Sequence, residues 1–262
     1  MSHLFRIHIF LLCILLLAGA ANLYGYDSSN LNERLQAANE QYSKGNYSEA
    51  IASYRSMTAE YGFSAEILHN LANSYAADGQ YGLAILHYLR GLRLSPGDND
   101  LQGDLEMTRK NIGIFTEDYN FKEKVLYLFD LNQWCLLALA GYVILTFLAI
   151  VYYTLKNFRI APKLSLITAA FICVCLTGAM QQKNLWSGGI IVMPEIRLLM
   201  SPFPTASPRG LIEEGAIVVP EKKHGEYIYV SDRRGRSGWI RSEAYRQINT
   251  SAITYSQADA GQ

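Results

Sequence analysis

Beyond the N-terminal segment the chain carries three histidines, His69, His87 and His224, and none belongs to an H-E-x-x-H helix or another metal-binding pattern. Glu213, Glu214 and Glu221 are the acids nearest to a paired-carboxylate arrangement, and they read as solvated surface charge. All four cysteines, Cys13, Cys135, Cys173 and Cys175, fall inside apolar runs. The soluble parts therefore lack the thiols for a disulfide framework or a zinc site. Cys173 and Cys175, two apart on a helix, face different sides and read as small apolar side chains. There is no glycine-rich phosphate loop and no nucleophile elbow. These absences predict a protein that is not an enzyme, with no catalytic residues, metal site or cofactor. The chain is neutral overall, with 23 basic and 23 acidic residues. Fifteen acids and nine bases lie from Tyr26 to Gln133, a net charge of −6, and eight acids and ten bases lie from Lys183 onward, a net of +2. Neither part has the basic stripe of a nucleic-acid binder.

What such a chain can do depends on the elements that display its polar residues. The run from Lys44 to Tyr54 returns as Asp78 to Tyr88, and Gly45 with Gly79, Ala50 with Ala84, and Tyr54 with Tyr88 all keep one offset of 34. The period predicts pairs of helices: A at 31–43 and B at 47–61, then A at 65–77 and B at 81–94. Gly45 and Gly79 make the tight turns between helices, and Ala50 and Ala84 are small where A packs on B. Tyr47, Tyr54, Tyr75, Tyr81, Tyr88, Leu68 and Leu71 fill the space between helices. Asn46-Tyr47-Ser48 fits a glycosylation sequon, but Asn46 falls in the turn that the repeat demands. After Pro96 a polar helix at 98–112 carries Leu101, Leu105 and Ile112 on one face, as a cap does on an open array.

This pattern resembles the tetratricopeptide repeat, with an all-α domain over 31–112 made of repeats 31–64 and 65–97 and the capping helix 98–112. The resemblance implies a peptide-binding groove on the A helices. Some members of that family clamp a partner's C-terminal carboxylate with asparagines and bases. Here Asn39 and Asn70 take the asparagine places, while Leu35, Asn99 and Gly103 stand where the bases would be. What remains is a polar groove lined by Asn39, Tyr42, His69, Asn70 and Asn73, whose amides can pair with a peptide backbone in both directions. The three asparagines have no expected core role, and a groove without bases predicts weak salt dependence.

Two apolar runs predict a membrane protein. From Leu131 to Leu155 there are 25 uncharged residues, with Trp134 near one end and Tyr152 and Tyr153 near the other. From Leu164 to Gln182 there are 19 more, with Trp186 beyond, and Ser165, Thr168, Thr177 and Gly178 suit close helix packing. The predicted spans are 132–155 and 164–182, preceded by an amphipathic juxtamembrane segment at 114–131. The loop between them, 156–163, carries Lys156, Arg159 and Lys163 and no acid, which places it in the cytoplasm. A basic start with Arg6, an apolar run from Ile7 to Leu17 and Ala18-Gly19-Ala20 read as a signal peptide over residues 1–25. Both soluble domains then lie on the far side of the membrane.

After Trp186 the pattern turns to short strands, at Ile190-Ile191-Val192, Ala216 to Val219, Tyr227 to Val230 and from Gly238. Asp232-Arg233-Arg234-Gly235 is a turn, and Pro202, Pro204 and Pro208 mark a long loop. Gly215, Tyr227, Val230, Gly235 and above all Gly238-Trp239-Ile240 resemble a bacterial SH3-like barrel over 188–248, with a disordered tail at 249–262. Trp239 and Tyr227 are expected to be core anchors. Ile196 to Ser201 departs from the residues usual in such domains.

The whole order, with Met193-Pro194-Glu195 leading into the barrel, is similar to the BatE-like proteins of bacterial aerotolerance operons. The resemblance implies a non-enzymatic inner-membrane scaffold displaying periplasmic interaction domains. It also implies partners: von Willebrand A-domain membrane proteins and a MoxR-type ATPase. The alternative is an envelope protein whose barrel binds peptidoglycan peptides.

Overall fold

The computed structural model describes residues 28–114, 125, 129, 131–154, 161–185 and 188–249. The signal peptide, most of the amphipathic segment, residues 155–160 of the basic loop, Trp186 and the C-terminal tail from 250 lie outside the described residues. The described residues form two compact units: most of the apolar helix pair, and the repeat helices together with the C-terminal strands.

Five helices open the described chain: α1 (Ser28–Ser43), α2 (Tyr47–Tyr61), α3 (Ala65–Ala77), α4 (Tyr81–Leu94) and α5 (Asn99–Asn111). Gly45 and Gly79 both take φ of 80°, the left-handed conformation that closes each A–B turn. The turns repeat bond for bond. Asn46 N–H donates to Gln41 C=O, and at the same positions of the next repeat Gln80 N–H donates to Tyr75 C=O. Ser64 caps α3 by accepting from the N–H of Ile67, and Asp98 caps α5 by accepting from Asp100 and Leu101. Ala50 and Ala84 are fully buried, as are Leu68 and Leu71, with Tyr54, Tyr75 and Tyr88 nearly so. Tyr47 and Tyr81 are only half-buried, because each opens its B helix beside the turn.

Helix α5 is more than a polar cap. Leu101, Leu105 and Thr108 are buried as Ile67, Leu71 and Ser74 are, one period earlier in the chain. It is a third A-type helix on the same period.

Helices α6 (Leu131–Thr154) and α7 (Ala161–Leu185) contain stretches long and apolar enough to cross a membrane. Ala161, Pro162 and Lys163, expected in the loop, form the first turn of α7. Proline is tolerated there because first-turn N–H groups have no helical acceptor to lose. Gly141 lies under Ile172, where an added Cβ would come within 2.8 Å of its Cγ1. Trp134 is buried, its indole lying over Gly178. Thr168 and Thr177 do not bridge helices; their hydroxyls donate to Leu164 and Cys173 carbonyls of their own helix at 2.7 Å.

The C-terminal part is an antiparallel sheet of seven strands: β1 (Gly189–Ile191), β2 (Ile196–Leu199), β3 (Pro208–Ile212), β4 (Ile217–His224), β5 (Tyr227–Asp232), β6 (Ser237–Arg241) and β7 (Tyr245–Gln247). The order is β3-β2-β6-β5-β4-β1-β7. No ladder among the described residues joins β3 to β7, so the sheet is open where the sequence predicted a closed barrel. It nevertheless wraps one core of Ile191, Leu198, Ile212, Val218, Val230 and Ile240. β3 falls in the stretch expected to be loop. Pro208 begins this edge strand, and Pro220 sits at a bulge between β4 and β5, the places where a missing N–H costs least.

Candidate functional site: the A-helix face

Helices α1, α3 and α5 repeat on one offset, so residues one period apart share a stripe. One stripe is Gln36, Asn70 and Asp104; the next is Asn39, Asn73 and Met107. Asn39 is exposed, His69, Asn70 and Asn73 are half-buried, and Tyr42 and Met107 are 37% and 65% exposed.

Two of the asparagines have structural partners. Tyr54 Oη donates to Asn39 Oδ1, and in the second repeat Tyr88 Oη donates to Asn73 Oδ1. Each bond ties a B-helix tyrosine, buried to the ring, to the A helix of its own repeat. The expectation that these amides have no core role is therefore corrected for Asn39 and Asn73. Each amide accepts this bond through its oxygen and keeps its N–H₂ as a donor group. Asn70 uses its backbone carbonyl to accept from Ser74 Oγ at 2.8 Å.

His69 meets an acid from another helix, not the Glu66 of its own. Its Nε2 lies 2.7 Å from Asp104 Oδ2, with the carboxylate 41% exposed. The His69 ring stands 6.0 Å from that of Tyr88, and Tyr42 lies 5.5 Å from Tyr47. No local motif marks Asp104, which lies on the helix that the sequence presents as a cap. Its place one period after Asn70 was the signal that could have found it.

Burial pushes the phenols of this face up. Tyr54 reaches about 12, from burial first and then Tyr42 and Glu66. Tyr42 is raised by burial, Tyr47 and Asp104, and Tyr88 by burial, with Asp104 and Tyr42 adding to it against the Thr108 hydrogen bond. All three phenols therefore stay neutral donors at physiological pH.

The other side of the repeat is covered. Every residue of α4 from Ala84 to Leu92 is buried, with Gly82, whereas α2 buries only Ala50, Ile51, Tyr54, Met57 and Thr58. The sheet accounts for the difference. Arg90, 4% exposed, donates to the carbonyls of Gln247 at 2.8 Å and Ile248 at 3.2 Å, and lies over the Phe63 ring. Glu214 accepts from Gly82 N–H at 2.6 Å. Glu213 pairs with Arg236 at 2.7 Å, which in turn holds Asp232. Glu214 is thus a structural tie, while Glu213 is a surface charge held by Arg236. His87 is fully buried and stacked on Tyr75 at 5.4 Å.

On the sheet, Tyr227 is buried, but Trp239 is half-buried and stands outside the apolar core. Trp239 lies between buried Gly238 and Ile240 and opposite Tyr229, whereas Tyr227 is buried at the start of β5. Trp239 makes edge contacts with Tyr229 at 5.4 Å and His224 at 6.5 Å, and Phe203 joins through His224 at 6.2 Å. Among the described residues no three His, Cys, Asp or Glu side chains gather to hold a metal ion.

No curated protein matches the chain. The family described as tetratricopeptide repeat matches residues 65–98, which are α3, the Gly79 turn, α4 and the segment up to the α5 cap. The chain thus contains a tetratricopeptide repeat, a module that binds protein partners and is typically not catalytic.

Proposed function

We propose that the chain is a non-enzymatic membrane scaffold whose A-helix face holds an extended segment of a protein partner, with Asn39, Tyr42, His69, Asn70 and Asn73 as the contact set. One observation carries this. The sheet covers the outer side of α4, while polar and aromatic side chains on α1, α3 and α5 remain exposed. A groove that faces solvent and is built from donors and acceptors suits an extended backbone better than it suits chemistry.

The finer reading rests on the sequence. The apolar helix pair, the basic loop and the signal-like start support an inner-membrane protein with both soluble parts in the periplasm. The layout supports a BatE-like role beside von Willebrand A-domain membrane proteins and a MoxR-type ATPase. The sheet is read as a variant of the bacterial SH3-like domain. The second reading, a sheet that binds peptidoglycan peptides, draws on the cluster of Trp239, Tyr229, His224 and Phe203, since aromatic rings with an exposed edge favour ligand contact.

Photo-crosslinking separates the two. A benzophenone amino acid at Tyr42 should trap a membrane protein partner in cells, and one at Trp239 should not. Trapping only from Trp239, with wall fragments, would replace the first reading by the second.

A further inference from the structure

We infer that the A-helix face selects a partner segment carrying a lysine or arginine side chain, received by Asp104. This rests on the groove reading above and adds the chemistry of its occupant. Asp104 is the acid that the third A-type helix brings onto the stripe of Gln36 and Asn70. Its carboxylate is 41% exposed and carries a bond from His69, which leaves acceptor sites free, because a carboxylate accepts from about four directions.

Arg55 acts on the buried His87 and Arg93 lies in the last turn of α4, and the remaining bases of the repeat helices are engaged or placed elsewhere. Arg34 is held by Glu60, Ser56 and Tyr61, and Lys44 by Glu40. Arg90 is turned into the sheet, and Arg109 is buried. Lys110 lies at the opposite end of α5 from the Asp98 cap, beyond Asp104. The charges acting on Tyr42, Tyr54 and Tyr88 are consistent with this, being Asp104 and Glu66 with no cation among them. An anionic carboxylate would meet repulsion here. A long cationic side chain would meet Asp104 with its head and the exposed Tyr42 ring with its stem. Binding at Asp104 should weaken as salt rises, in contrast to the weak salt dependence expected of a groove without bases.

The test uses the full chain in detergent and a phage library of random dodecapeptides. Enriched peptides should share a Lys or Arg and bind less tightly as salt rises. They should lose about tenfold in affinity to Asp104→Asn, the scale of one charge-assisted contact. Asp104→Glu should restore most of it, which assigns the loss to charge and not to misfolding. Peptides that need Tyr42 and Asn70 but carry no cation, or ignore Asp104→Asn, would overturn the charge inference and leave the groove reading standing. A library that yields no binders, or binders indifferent to Tyr42→Ala and Asn70→Ala, would overturn both.

Discussion

Glu214, on the turn before β4, accepts the backbone N–H of Gly82 in the first turn of α4, 132 positions away in sequence. The helix needs it, since its own N-cap, Gln80, supplies no side-chain bond. A carboxylate at a helix N-terminus satisfies an orphan donor and meets the positive end of the dipole. Gly82 allows the approach, because a Cβ there would fall 2.7 Å from Val192 Cα and 2.8 Å from Ile191 O. On the sheet side, Gly215 has φ of 80°, and a Cβ on it would fall 2.5 Å from Ile85 Cδ1. Gly82→Val should therefore force the sheet off α4, at about 1–3 kcal/mol or more. Hydrogen exchange of the full chain should rise in α4 and β1 together. A rise confined to α4 would show that helix and sheet are not coupled.

Arg90 is the second tie. Arg90→Ala removes two donors from the carbonyls of Gln247 and Ile248 and leaves a gap against Phe63. Hydrogen bonds to a charged group contribute about 1.5–3 kcal/mol each. The variant should melt earlier and lose exchange protection first at β7. Arg90→Lys should recover only part, since one ammonium does not reproduce the planar fork.

Ala84→Trp should unfold the repeat helices. Ala84 is 0% exposed between α3 and α4, and overpacking costs about 1–3 kcal/mol, more where backbone cannot shift. Circular dichroism of the full chain gives the readout, because a fragment without the sheet would expose the outer side of α4. An unchanged melting temperature would show that no packed contact exists there.

His87 makes stability fall with acid. Burial, with help from Arg90 and Arg55, pushes its pKa well below 6.5, so the folded protein keeps it neutral while the unfolded chain takes up a proton. Stability is then full above about pH 6.5 and declines below it, by up to about 1.4 kcal/mol per pH unit. Glu213, whose pKa is lowered by Arg236, acts further down, losing its contribution as pH falls below 4.5. Melting curves between pH 7 and 5 should flatten in His87→Phe. A slope that survives the substitution would place the acid sensitivity elsewhere.

Membrane topology is open to a direct check. Reporter fusions after Arg159 and after Thr250 should report cytoplasm and periplasm respectively, from the three bases between the apolar runs. A periplasmic signal at Arg159 would invert the proposed arrangement.

The constant spacing of Gly45 and Gly79, Ala50 and Ala84, and Tyr54 and Tyr88 determines the helical repeat by itself. A left-handed turn, a close helix contact and a buried ring are local demands that one residue type answers. Uninterrupted apolar runs likewise determine the two long helices, since length and composition are additive along a chain. Tertiary structure decided the rest. It set His69 against Asp104, and Tyr54 and Tyr88 on Asn39 and Asn73, because the period aligns equivalent positions without saying which side chains meet across helices. It turned Trp239 out of the core, since strand parity depends on register, which a single strand's sequence does not fix. It also folded the sheet onto α4. The one local hint was Gly82 where the first repeat has Ser48, and a glycine gains its meaning only from the backbone of Ile191 and Val192 that comes to lie against it.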